Sequence, residues 1–215
     1  MKAIDFYFDP ISPYAYLAFE RLPQVLAGCS YAVNYRPVLF AGLLNHWGQK
    51  GPAEIGPKRA WTMRQVAWLA HRHGIAMQRP AVHPFNPLAL LRLLVASAPE
   101  GGTPNRHAVE QVFRHVWATG ADANDPERLQ ALHELLQPQQ DPQGDAVKQA
   151  LRAGTEAAVA RGVFGVPTIA VDERLFWGVD ALEMVAACLQ GDPWFDPEPW
   201  EALAAPTPGV QRRVR

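Results

Sequence analysis

The chain opens on a short run dense in apolar and aromatic side chains, Lys2 to Phe8 (KAIDFYF), which predicts a buried strand. Asp9-Pro10-Ile11-Ser12-Pro13 breaks that run, and Tyr14, Leu17, Ala18, Leu22 and Leu26 then recur at helical spacing up to Gly28. Pro13 suits the first helical position, where no backbone N–H is needed, and Ser12 falls at the N-cap. Alternation returns from Ser30 to Leu39 (SYAVNYRPVL) and predicts a second strand, so the opening is a β-α-β unit.

Helical periodicity then dominates. Pro57 to His73 is one segment, with Trp61, Val66, Trp68 and Leu69 apolar and Gly74 as its stop. Asn86-Pro87 leads into Leu88 to Ala96, and Asn105 to Thr119 and Asp125 to Leu136 follow with charged faces. The Gly/Pro-rich stretches 99–104 and 138–144 are loops between them. Asp145 to Gly162 is helical. Gly165-Val166-Pro167 then enters the strand Thr168 to Val171, Asp172-Glu173 turns, and Arg174 to Trp177 forms a second late strand before a last helix from Asp180 to Leu189.

This order predicts an α/β, thioredoxin-like fold with an α-helical domain inserted after the second strand. Residues 1–40 and 160–192 form the thioredoxin-like domain, 41–159 the insertion and 193–215 a C-terminal tail. The Pro/Glu/Ala-rich stretch 192–208 is expected to pack loosely, and the basic end Arg212 to Arg215 to be a frayed, solvated terminus. The late hairpin disfavours a doubly wound nucleotide fold, and no GxGxxG or GxxxxGK[ST] occurs.

Composition narrows the function classes. Twenty basic against 21 acidic residues give a net charge of −1, which argues against a broad nucleic-acid footprint. No apolar run approaches the roughly 18 residues of a membrane span, and the acid at Asp5 interrupts anything resembling a signal core. The two cysteines, Cys29 and Cys188, form no CxxC, zinc or disulfide framework, and their apolar neighbours predict buried, inert thiols. A cytoplasmic location is expected. The seven histidines are scattered, His71 and His73 pointing to different sides of one helix and His46 and His83 lacking carboxylate company, so no metal site is expected.

Two places carry candidate chemistry. A hydroxyl at Ser12 stands beside the unpaired N–H groups and positive end of a helix, where an anion such as a thiolate is favoured; it is equally a plain helix cap. Gly165-Val166-Pro167-Thr168 starts a strand on a proline, which suggests a cis bond that presents backbone groups unusually, though trans prolines also start strands. In the predicted architecture the two places face each other. Trp47, Trp61, Phe40 and His46 either wall an aromatic pocket or belong to the core.

The segments FDPISPYAYLAF (8–19), GPAEIGPKRAWTMR (51–64), HPFNPLALLR (83–92), RGVFGVPTIAV (161–171) and LFWGVDAL (175–182) resemble the 2-hydroxychromene-2-carboxylate isomerases. These belong to the DsbA-like group alongside the kappa-class glutathione transferases, and the resemblance spans roughly residues 3–190. It implies glutathione as cofactor, with Ser12 donating a hydrogen bond that stabilises the thiolate. It implies that the backbone of Val166, before Pro167, pairs with the glutathione cysteinyl group. Asp180 would take the γ-glutamyl ammonium, or act as a plain N-cap, and the Ala181 N–H would meet the γ-glutamyl carboxylate. Lys58 matches a basic residue at the mouth of the site, a partner for a carboxylate or a solvated lysine. Gln49 stands where relatives often carry Asn after Gly, and Val179 replaces a polar residue in WGxD; either change could alter the substrate.

The expected activity is therefore a glutathione-dependent isomerisation of 2-hydroxychromene-2-carboxylate-like aromatic catabolites, by a homodimer acting on a small aromatic substrate. A kappa-like glutathione transferase and a non-catalytic thioredoxin-like binding module are the alternatives. Dithiol–disulfide exchange is disfavoured because Ser12-Pro13-Tyr14-Ala15 holds no sulfur.

Overall fold

The computed structural model describes residues 1–204. Four strands, β1 (Lys2–Phe8), β2 (Tyr31–Pro37), β3 (Thr168–Val171) and β4 (Arg174–Trp177), form one sheet in the order β2-β1-β3-β4. β1 runs parallel to β2 and antiparallel to β3, with Ile4 opposite Val33 on one side and Val171 on the other. β3 and β4 form the hairpin that the Asp172-Glu173 turn predicts. Nine helices accompany the sheet among the described residues. α1 (Pro13–Val25) links β1 to β2, and α2 (Phe40–Trp47), α3 (Gly56–His73), α4 (Leu88–Ala96), α5 (Arg106–Trp117), α6 (Pro126–Leu136) and α7 (Asp145–Ala160) all lie between β2 and β3. α8 (Leu182–Gln190) and α9 (Pro197–Ala204) follow the hairpin. This is the thioredoxin-like α/β arrangement with a helical insertion after the second strand.

The alternation of β1 explains how sheet and insertion share a core. Ile4, Phe6 and Phe8 are wholly buried in the larger cluster with α1, α4, α5 and α8, while Tyr7 joins Val38, Leu43, Ala158, Val163, Val166 and Ala170 on the opposite face. Phe113 of α5 places its ring 5.3 Å from both Phe8 and Phe19. Each such buried aromatic contributes roughly 1.5–3 kcal/mol of apolar burial, so the insertion is packed onto the sheet side of the core, not tethered to it. On the α7 face, Asp5 sits between Arg161 (2.7 Å) and Arg36 (3.1 Å) and also accepts from Asn34. Burial works to raise the Asp5 pKa, but these hydrogen bonds and the Arg36 charge outweigh it and hold the carboxyl below its usual range.

Three local expectations change. α2 is absent from the periodicity reading, being only eight residues long and ended by Gly48 in the left-handed region. The stretch after residue 192 is better packed than its composition implies: Phe195 is buried and Trp200 stacks on Phe176 at 5.7 Å, because these aromatics cover apolar surface left by the last strand and α8. Residues 205–208 of that stretch, and the basic end Arg212 to Arg215, lie outside the described residues. Finally, Cys188 is buried but Cys29 is only half-buried, beside Gln190; both are free thiols.

Candidate functional site

The apolar run of β1 stops at Phe8, and Asp9 to Ser12 form the turn that starts α1. Ser12 has extended backbone angles, its hydroxyl accepts from the Ala15 N–H at 3.2 Å, and Pro13 occupies the first helical position. No acidic side chain stands in the first turn of α1. Ser12 retains 6% of its surface exposed. Its hydroxyl also lies 3.3 Å from the carbonyl oxygen of Val166, to which it donates.

Val166 and Pro167 are joined by a cis peptide bond and are buried. Thr168 Oγ1 donates to the Gly165 carbonyl at 2.7 Å, and the Gly178 N–H donates to the Pro167 carbonyl at 2.9 Å. The loop entering β3 is thus tied both to itself and to the segment that follows β4. Gly178 has φ +97° and ψ 162°, a region essentially closed to other residues. It turns the chain into the short 3-10 segment Val179–Ala181, which packs against α1.

Asp180 is exposed in that segment and does not cap α8 with its side chain, since the residue preceding α8 is Ala181. Its charge reaches Tyr14: burial is the main cause of the raised Tyr14 pKa, a hydrogen bond with Thr62 opposes it, and Asp180 adds to it. Asp180 therefore stands on the side of the site where α1 begins. The Ala181 N–H donates to the Gly178 carbonyl at 3.3 Å, a long bond.

The other sequence-derived candidates are placed at the rim or beyond it. Lys58 is exposed in the first turns of α3, one helical turn before Thr62, and has no ion-pair partner among the described residues. Gln49 is exposed just after α2; its backbone N–H donates to the Leu44 carbonyl and its amide has no hydrogen bond among the described residues. Trp47 is fastened by its indole N–H to the Val163 carbonyl at 3.0 Å, next to the loop of Val166. Phe40 is partly buried against the smaller core cluster, while His46 is exposed. Trp61 is 60% exposed on the outer side of α3, whose buried positions are Thr62, Val66 and Ala70, so it belongs to no core.

Several residues escaped sequence reasoning. Phe164 and Trp177 meet at 5.0 Å with their rings tilted, beside the cis proline, and remain exposed. A Cβ at Gly165 would meet the Trp177 indole nitrogen at 2.6 Å, so glycine there admits the indole. The Tyr14 hydroxyl donates to Gln65 Oε1 at 2.7 Å, joining α1 to α3. The carbonyls of Pro10 and Ile11 are held from the insertion, by the Trp117 indole N–H at 2.9 Å and by His83 Nε2 at 3.0 Å. Burial lowers the His83 pKa, and because the Ile11 carbonyl can only accept, Nε2 carries the proton of this bond. Asp9 is wholly buried, and burial pushes its pKa up to about 7 against the hydrogen bonds from the Ile11 and Phe40 N–H groups. The aromatic pair and Asp9 lay within quoted motifs, but only their spatial setting marks them.

Residues 3–190 match the DSBA-like thioredoxin domain. A 2-hydroxychromene-2-carboxylate isomerase of Pseudomonas putida is 30% identical over 86% of this chain and 93% of its own. Human glutathione S-transferase kappa 1 is 27% identical over 92% of this chain and 95% of its own. Among solved structures, that of a 2-hydroxychromene-2-carboxylate isomerase superposes with a TM-score of 0.76 at 23% identity, covering 95% of this chain and all of that one. A probable DsbA oxidoreductase from Streptomyces coelicolor gives 0.63 at 18% identity over 89% of this chain and 91% of its own, a likeness of fold. A buried hydroxyl at a helix start, met by a cis-proline loop, is thus built on a shared architecture: the chain belongs to the DSBA-like thioredoxin domain family.

Proposed function

We propose that this chain is a glutathione-dependent isomerase of 2-hydroxychromene-2-carboxylate-like aromatic compounds. The observation that carries the reading is the Ser12 hydroxyl at the start of α1, 3.3 Å from the carbonyl of Val166. A hydroxyl has one proton and can donate to one acceptor at a time. When a thiolate enters, that proton turns from the Val166 carbonyl to the sulfur, and the freed carbonyl can accept an N–H of the tripeptide. The α1 terminus, without an acid in its first turn, favours the same negative charge.

The residues present fit glutathione. Ser12 would hold the sulfur, Val166 and Pro167 the cysteinyl backbone, Asp180 the γ-glutamyl ammonium, Ala181 the γ-glutamyl carboxylate, and Lys58 and Gln49 the outer polar groups. Bound glutathione supplies a thiolate nucleophile that is regenerated at the end of the cycle. The chain itself keeps that charge in a preorganised, largely dry setting, and the exposed Phe164–Trp177 pair beside the cis proline offers apolar surface to an aromatic substrate. We place this activity in a cytoplasmic homodimer.

Relatives named glutathione S-transferase kappa favour a second reading, in which glutathione is consumed in a conjugate. Stoichiometry separates the two. Isomerisation proceeds with glutathione far below the substrate concentration and no loss of free thiol; conjugation removes one thiol per product. Absence of glutathione binding by calorimetry at millimolar concentration would overturn both readings and leave a thioredoxin-like binding module.

A further inference from the structure

The turn that carries Ser12 is held by a side chain that the thiol chemistry above does not use. Asp9 lies three residues before Ser12 with no exposed surface. Its two carboxylate oxygens reach in different directions: Oδ1 accepts from the Ile11 N–H at 3.0 Å, and Oδ2 from the Phe40 N–H at 2.9 Å. Neither oxygen has a cationic partner among the described residues. A carboxylate buried against two amides alone is costly, and closing the local turn needs only the bond to Ile11. The second bond leaves the turn and fastens it to the first residue of α2.

That second contact is well anchored. The Val38 N–H donates to the Phe8 carbonyl at 2.9 Å and the Leu39 N–H to Thr155 Oγ1 at 3.1 Å, so the segment presenting the Phe40 N–H is pinned to both β1 and α7. The Asp9 carbonyl in turn accepts from the Ser12 N–H at 3.0 Å. Across the turn, His83 holds the Ile11 carbonyl, and the charges of Arg59 and Arg79 reach its ring from that side. We propose that Asp9 is a positioning residue for Ser12: its two-armed carboxylate locks the β1–α1 turn to α2 and fixes where the Ser12 hydroxyl points. The proposal rests on Ser12 as the hydrogen-bond donor to a glutathione thiolate.

Two substitutions break the lock from opposite ends. Asp9→Asn keeps the shape but turns one acceptor into an NH2 group that cannot receive an amide proton. Phe40→Pro deletes only the donor N–H at a first helical position that accepts proline, with Phe40→Ala as the control for the lost ring. Amide hydrogen exchange at Ile11 and Ser12 should accelerate about tenfold in Asp9→Asn and Phe40→Pro relative to wild type and Phe40→Ala respectively. The pKa of bound glutathione, read from thiolate absorbance near 240 nm, should rise by about one unit in Phe40→Pro relative to Phe40→Ala, a comparison that leaves the Asp9 charge in place, and not further when Phe40→Pro is combined with Ser12→Ala. Unchanged exchange, an unchanged thiol pKa in folded Phe40→Pro, or full additivity with Ser12→Ala would overturn the proposal. If Asp9→Asn does not fold, the Phe40 pair decides alone. Wild-type protein that fails to bind glutathione would instead sink the reading of Ser12, and the exchange data would then still report whether Asp9 holds the turn.

Discussion

Ser12 and Val166 are 154 positions apart in sequence, yet the hydroxyl of one donates to the carbonyl of the other at 3.3 Å. The same oxygen of Ser12 accepts from Ala15, so one small group closes a helix start and contacts the loop entering β3. Ser12→Ala removes both contacts. Loss of the cap should lower unfolding stability by about 1 kcal/mol. Loss of the donor should lower kcat by on the order of 10²-fold, with the far-ultraviolet spectrum unchanged. Equilibrium denaturation and steady-state turnover measure the two effects separately, and turnover equal to wild type would remove Ser12 from the chemistry.

The legible part of this site was the part encoded locally. A β-rich run broken by Asp-Pro, a serine before a proline, and a Val-Pro-Thr start to a strand each carry their geometry within a few residues. α2 was missed because eight residues between a strand and a left-handed glycine offer too few turns for a period to emerge. Trp117 and His83 were missed for a different reason. Their bonds to Pro10 and Ile11 span 107 and 72 positions, and nothing local distinguishes a buried indole that fills space from one that also fastens a turn.

The pH dependence of folding should carry a mark of Asp9. Its folded value of about 7 lies above the ordinary 3.8, so the native state keeps a proton that the unfolded chain has already released. Stability from this group is therefore greatest at acid pH and falls as pH rises from about 4 to about 7, levelling above. In Asp9→Asn that decline is absent. The difference in unfolding free energy between variant and wild type should shift toward the variant across this window; a constant difference would contradict the assignment.

Gly178 adopts a conformation that a side chain does not share, and a Cβ there would also overlap the Asp180 carboxylate. Gly178→Ala should cost about 1–3 kcal/mol from the backbone alone. Because the 3-10 segment must then move, glutathione affinity should weaken together with stability. Calorimetric titration beside thermal unfolding tests this, and full affinity in a destabilised protein would detach Asp180 from the binding role.

Trp117→Phe removes the donor that satisfies the Pro10 carbonyl inside a fully buried setting. Leaving that oxygen unpaired should destabilise the fold by roughly 1–3 kcal/mol, beyond a smaller cost for lost ring volume. Amide exchange should accelerate first at Asp9, Ile11 and Ser12, ahead of α6 or α7. Uniform acceleration across the chain would show that Trp117 serves only as packing.

The grip of Trp117 and His83 on consecutive carbonyls also constrains how a small molecule gets in. Both bonds cross the seam between the six inserted helices and the strand-bearing part of the chain, the Trp117 bond buried and the His83 bond part-buried. Swinging those two halves apart there requires abandoning both bonds, and at the buried Trp117 indole water is not on hand to replace the one that is lost. Admission to the serine thus falls to the exposed rings and long side chains at the border, which can rotate out of the way while the frame behind them stays shut.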